Sequence, residues 1–178
     1  MPVTKKTEII VERRYDPRAC RHTINGTPYV LHCHHYMSLY TQLAEDCSML
    51  DGRKLLAESA EDCAFERLTA IFQAQSLDHV ADRIAVAEQL YALWGLGGMK
   101  VVCAGPESGE VELTASHVDE GWIKKWGKRD KPVNFVTCGF IAGMFAAVFG
   151  RPTRSYSVIE TSSIVCGADR SRFEVVAN

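Results

Sequence analysis

This 178-residue chain has no excess charge of one sign, no CxxC pair and no long unbroken apolar segment. Each absence removes a class of protein. Lys and Arg number 20 against 22 Asp and Glu, a formal net charge of -2, so nothing electrostatic points to nucleic acid as a partner. The basic group Lys124, Lys125, Lys128, Arg129 and Lys131 is flanked by Asp119, Glu120 and Asp130 and reads as a solvated face. With 6 prolines and 13 glycines, the composition excludes collagen-like and disordered chains. The N-terminus lacks the apolar core of a secretory signal, so a cytoplasmic location is expected. The one apolar run, residues 133–149, is about 17 residues long and broken by Asn134, Thr137, Gly139 and Gly143; Arg151 and Pro152 follow closely. No membrane span is expected from it.

The 7 cysteines, Cys20, Cys33, Cys47, Cys63, Cys103, Cys138 and Cys166, are scattered and odd in number. Without a signal, that pattern points to reduced, mostly buried and inert thiols. The run at 133–149 is apolar nearly all round, which predicts a buried helix at the centre of the fold. Gly139 and Gly143 lie four apart on one face of it, where missing side chains allow another backbone or a ligand to come close.

Residues 1–22 read as a polar arm with one strand over Glu8–Glu12, and 23–178 as a single domain. Asn25-Gly26 signals a turn. Helical periodicity starts at His35, continues from Arg53 to Gln75, and resumes after Ser76, a candidate N-cap. Segments 99–104 and 110–116 alternate across Gly105–Gly109 as a hairpin, and 153–160 with 170–176 form a second. A short amphipathic helix around Trp122 to Trp126 precedes the buried one. This order predicts an α+β fold, with one antiparallel sheet of two hairpins packed against helices.

Gly95 to Val176 resembles the 4-vinyl reductase domain, a predicted hydrocarbon- and small-molecule-binding module that also serves as the sensor of aromatic-responsive transcription activators. The resemblance rests on an ordered set: Trp94-Gly-Leu-Gly-Gly, a strand ending in Ser116, Pro132-Val-Asn-Phe135, Gly139-Phe-Ile-Ala-Gly143, Gly150-Arg151, Glu160-Thr161, Gly167-Ala-Asp169 and Phe173-Glu-Val175. It covers a little under half the chain. Zinc-binding members of that family carry cysteines where this sequence has Ser163 and Ser171, and Asn134 replaces a cysteine common after Pro-Val; only Cys166 nearby could donate a thiolate. Hydroxyls are poor zinc ligands, so the resemblance implies that the family's zinc site is missing here. A weaker likeness, through Gly150-Arg-Pro-Thr-Arg154, Cys166-Gly167 and Arg172-Phe173, is to hydrolases of 2-aminothiazoline-4-carboxylate. Vesicle-tethering subunits share a related fold, which raises a pure assembly role as a third possibility.

Three sets of residues could carry chemistry. His32-Cys33-His34-His35 is the densest group of ligand-capable side chains. With His117 and Cys166 it could hold a zinc or iron ion, and Cys33 with His35 could act as nucleophile and base in a small-ring hydrolase. A small apolar or aromatic molecule could lie between the buried helix and the sheet, against Trp94, Phe135, Cys138, Phe140, Met144 and Phe145, with Tyr36, Tyr40 and Phe72 opposite. Glu160 ends an apolar strand and needs a partner if buried, for which Arg151, Arg154 and Arg170 are candidates, or a ligand. Hairpin edges and the Trp122–Trp126 helix invite homodimerisation.

Overall fold

A computed structural model describes residues 7–30, 32–47 and 49–178. Three short strands come first: β1 (Arg13–Asp16), β2 (Arg21–Ile24) and β3 (Thr27–Tyr29) form a small antiparallel sheet. Asn25 and Gly26, both at positive φ, make its tight second turn. Residues 8–12, expected as a strand, are instead held by side chains. Ile9 N–H donates to Gln89 Oε1 (3.1 Å), Gln75 Nε2 to the Glu8 carbonyl (3.1 Å) and Glu12 N–H to Asn25 Oδ1 (2.7 Å). The segment is thereby fastened to the helices and has no ladder to join.

Helices α1 (His34–Asp46), α2 (Gly52–Ala74) and α3 (Val80–Leu93) follow. Ser76 does not cap α3. Its φ is +51°, its N–H donates to the Gln73 carbonyl, and Leu77 N–H donates to that of Phe72, a left-handed closure of α2. His79 occupies the N-cap of α3. Strands β4 (Gly97–Ala104) and β5 (Ser108–Ser116) form the first hairpin; α4 (His117–Trp126) and α5 (Phe135–Phe149) intervene; β6 (Tyr156–Ser162) and β7 (Ser171–Ala177) form the second. The hairpins join in one antiparallel sheet of order β4-β5-β7-β6, so the fold is α+β with helices packed on the sheet.

Helix α5 is buried along nearly its whole length and lies against α2 on one side and the sheet on the other. A Cβ on Gly139 would overlap the Ala57 carbonyl, and one on Gly143 the Glu61 carbonyl; the two glycines let the helix backbones touch. Toward the sheet, the Phe145 ring rests on Gly109 of β5 and packs edge-on to Tyr156 (centroids 5.6 Å apart). The Gly150 cap is left-handed, and Arg151 N–H donates to the Ala146 carbonyl to end α5. No helix among the described residues is long and apolar enough to cross a membrane.

Candidate functional site

Four pieces of chain meet at the N-terminal end of α5. Ser116 ends β5 and caps α4, accepting from Asp119 N–H (3.1 Å). That cap turns Asp119 into the interior, where the residue is fully buried. Its Oδ1 accepts from Ser163 Oγ (3.2 Å) and Val165 N–H (3.1 Å), its Oδ2 from Asn134 Nδ2 (2.8 Å) and Ser171 Oγ (3.1 Å). Four donors satisfy one carboxylate. Asn134 also accepts from Ser116 Oγ (3.0 Å) and donates to Glu160 Oε1 (2.8 Å).

Glu160 is the exception in this network. It points inward from β6 opposite Phe173, and its Oε2 is buried with no hydrogen-bond partner among the described residues. Burial raises its pKa to about 7; the hydroxyl of Ser163 and the amide of Asn134 oppose that rise, and the charge of Asp119 adds to it. The arginines expected beside it are occupied elsewhere. Arg154 pairs with Glu58, Glu61 and Asp62, Arg151 with Glu107, and Arg170 with Glu112. Cys138, on the first turn of α5, has its thiol pushed up to about 12 by burial and by the Glu160 charge.

Asn134, Ser163 and Ser171 therefore do converge, but as parts of a hydrogen-bonded cluster centred on Asp119. The donor set is two carboxylates, an amide and hydroxyls, already engaged with one another. It offers no thiolate or imidazole, and so does not fit zinc. Cys166 sits in the β6–β7 loop, exposed, with its N–H on the Ser163 carbonyl (3.1 Å). Asp119 carries no metal-like spacing in the sequence; the signal that could have exposed it is the Ser-x-x-Asp pair formed with Ser116.

The histidines gather elsewhere, where α1 crosses α4. The His34 ring is 4.1 Å from that of His35 and 6.5 Å from that of His117. Desolvation lowers the His34 pKa, and the neighbouring charges of His35, Lys124 and His117 lower it further. His32 leans on Tyr36 and Tyr40 (6.1 and 6.2 Å between ring centroids). Among the described residues, no three His, Cys, Asp or Glu are grouped to hold a metal ion. Cys33 Sγ lies 3.8 Å from His35 Nδ1, both exposed at the start of α1.

The expected apolar wall divides among four places. Phe140, Met144 and Phe145 are buried in the core, with Trp94 packed edge-on to Phe140 (5.7 Å) and Tyr91 bonded to Thr137 (2.9 Å) beneath it. Phe135 carries the Arg53 guanidinium over its ring at 5.6 Å. Tyr36 and Tyr40 lie on the outer face of α1, both exposed. Phe72 faces a groove of about 690 Å³ where the C-terminal ends of α2 and α5 meet the start of α3. Phe65, Phe72, Leu77 and Pro152 supply its apolar surface, Arg83 and Arg151 its cations. Arg83 is held by donation from Nε to the Leu77 carbonyl (2.8 Å) and from Nη1 to that of Val148 (2.9 Å), and stacks 5.5 Å from the centre of the Phe72 ring. Cys33 and His35 do not line it.

The fold itself is known. The chain superposes on the phenol-responsive sensory domain of the transcription activator PoxR, crystallised with phenol, at a TM-score of 0.77 and 15% identity, covering 93% of this chain and 84% of that one. A vinyl-4-reductase family protein from Methanocaldococcus jannaschii matches at 0.55 and 14% identity, over 84% of each chain. A trafficking protein particle complex subunit 3 from Naegleria fowleri, covalently bound to palmitic acid, matches at 0.53 and 15% identity, over 81% of this chain and 91% of that one. No family model matches the sequence, and no curated protein resembles it in sequence. The chain thus has the fold shared by the vinyl-4-reductase protein and the phenol-sensing domain.

Proposed function

We propose that this is a cytoplasmic domain that binds a small aromatic or apolar molecule, with the groove between α2, α3 and α5 as its site. The observation that carries the reading is the groove: about 690 Å³, within the range of small-molecule sites, with aromatic walls and a fixed guanidinium at one side. A flat ring can lie against Phe65 and Phe72 while an oxygen on it accepts from the Arg83 donors that the Leu77 and Val148 carbonyls leave free, which suits a phenolate or carboxylate. Among the described residues Arg83 has no acidic partner, so such an oxygen would not have to displace one. Two matching folds hold ligands, phenol in one and covalently bound palmitic acid in the other, which supports binding of apolar molecules on this scaffold. The cysteines, expected to be mostly buried, are exposed except for Cys47 and Cys138, which are half-buried.

The test is ligand-observed and amide NMR with phenol, benzoate and a short-chain fatty acid. Saturable shifts confined to residues of α2, α3 and the α5 cap are expected. Gln73→Trp, which fills the groove from an exposed position on α2, should abolish them and leave the fold unchanged. Saturable binding that Gln73→Trp does not touch would remove the site from this groove; no binding of any of the three would remove the function.

A further inference from the structure

We propose that the crossing of α1 and α4 binds a phosphate group, borne by a small molecule or a lipid headgroup; this is independent of the groove reading. The motif His32-Cys33-His34-His35 is not used by that groove, and the fold brings a further histidine to two of its imidazoles. His34 opens α1, His117 opens α4, and Gly121 lets the two helices close on each other there. A Cβ at Gly121 would lie 2.8 Å from His34 Cβ. The His34 ring is thereby set 4.1 Å from that of His35 and 6.5 Å from that of His117. Lys124, on the next turn of α4, adds an exposed ammonium.

Charge defines what belongs there. Among the described residues none of these four side chains is paired with a carboxylate, not even Lys124 with Glu120 one turn before it. Asp119 of the same helix is turned into the interior and fully engaged. Burial lowers the His34 pKa, the charges of His35, Lys124 and His117 lower it further, and no acid raises it. Cationic groups gathered without a counter-charge attract an anion. The backbone adds to this. Cys33, at the N-cap of α1, makes no side-chain cap; its thiol lies instead 3.8 Å from His35 Nδ1, and no acid stands in the first turn. Ser38, one turn on, is 1% exposed, and its Oγ has no partner among the described residues. That hydroxyl lies at the same crossing, 3.2 Å from the Cβ position at Gly121. Imidazole N–H groups, an ammonium and helix N-terminal amides, arriving from two helices, suit the several oxygens of a tetrahedral phosphate better than the two of a planar carboxylate.

Amide and imidazole NMR of the full chain tests this, with inorganic phosphate, phenyl phosphate and acetate titrated at constant ionic strength. Both phosphates should give saturable shifts at His34, His35, His117 and Lys124, and acetate none. Lys124→Glu, an exposed change that should leave the thermal midpoint alone, should weaken phosphate binding about tenfold. His35→Gln should weaken it less, and His22→Gln on β2 should leave it as it is. Vesicles containing phosphatidic acid decide the source. Binding to them that the free phosphates do not share, lost in Lys124→Glu, would place the phosphate on a lipid headgroup. Shifts that never saturate, that survive Lys124→Glu unchanged, or that acetate reproduces at equal affinity would overturn the proposal. So would a crossing that takes up zinc chloride and neither phosphate nor phosphatidic acid, or one that responds to none of these.

Discussion

Glu160→Gln should make the protein more stable above neutral pH and leave it unchanged in mild acid. The buried carboxyl of Glu160 has a folded-state pKa of about 7 against 4.5 in the open chain, because burial penalises its charge and Oε2 has no partner among the described residues to offset this. Between those values the folded protein keeps a proton that the unfolded chain has released. Its contribution to stability is therefore complete below about pH 4.5, declines through the interval, and is gone above about pH 7. At about 1.4 kcal/mol per tenfold change in proton affinity, the interval is worth about 3 kcal/mol, and partial solvent access should reduce this to about 2. The neutral amide keeps an oxygen for Asn134 Nδ2 and carries no charge to bury. Urea unfolding followed by tryptophan fluorescence, for both chains from about pH 4 to 8, isolates the effect, because the other titrating groups cancel in the difference. Wild-type and variant curves that stay parallel over that range would refute the reasoning.

Asp119→Ala should cost about 3–5 kcal/mol, since it strands the donors of Asn134, Ser163, Ser171 and Val165 in the interior; chemical denaturation measures the loss, and hydrogen exchange should rise in the 163–171 loop. Gly139→Ala should cost about 1–3 kcal/mol or more by forcing α5 off the Ala57 carbonyl, read as a drop in denaturation midpoint, whereas Ala70→Gly on the exposed side of α2 should cost no more than about 1 kcal/mol. A strong chelator should leave the thermal midpoint unchanged, and elemental analysis should find less than one zinc per chain, because the cluster around Asp119 supplies the cohesion that a thiolate site would otherwise provide.

Much of this architecture was legible because its signals are local and strong. The mostly apolar residues 133–149 read as a buried helix, which the structure forms from Phe135, and the glycines at 139 and 143 announced a close approach that proved to be the α2 backbone. The two hairpins followed from alternation and turn residues. What was not legible depended on neighbours distant in sequence. Ser76 has the chemistry of an N-cap, yet it closes the preceding helix because the chain must reverse there in a left-handed step. Residues 8–12 carry the β-branched run of a strand, but Gln75 and Gln89 hold them instead. In the polar cluster, Asn134, Ser163, Ser171 and Glu160 drew notice, three of them through a resemblance. Asp119, the residue that binds most of them, looked like one acid on a solvated helix, because only the folded chain turns its carboxylate inward. Tyr36 and Tyr40 were placed opposite the core by helical periodicity, which fixes a face but not what that face meets.

The hydrogen bonds that converge on Asp119 come from residues 15, 44, 46 and 52 positions further along the chain. Long loops must close before any of them can form, and a partial set leaves charge stranded in a drying interior. The clasp therefore belongs to the last stage of folding, after α5 has met the sheet. Loosening it should hasten unfolding far more than it slows folding, so this one aspartate governs how long the native state survives rather than how quickly it is reached.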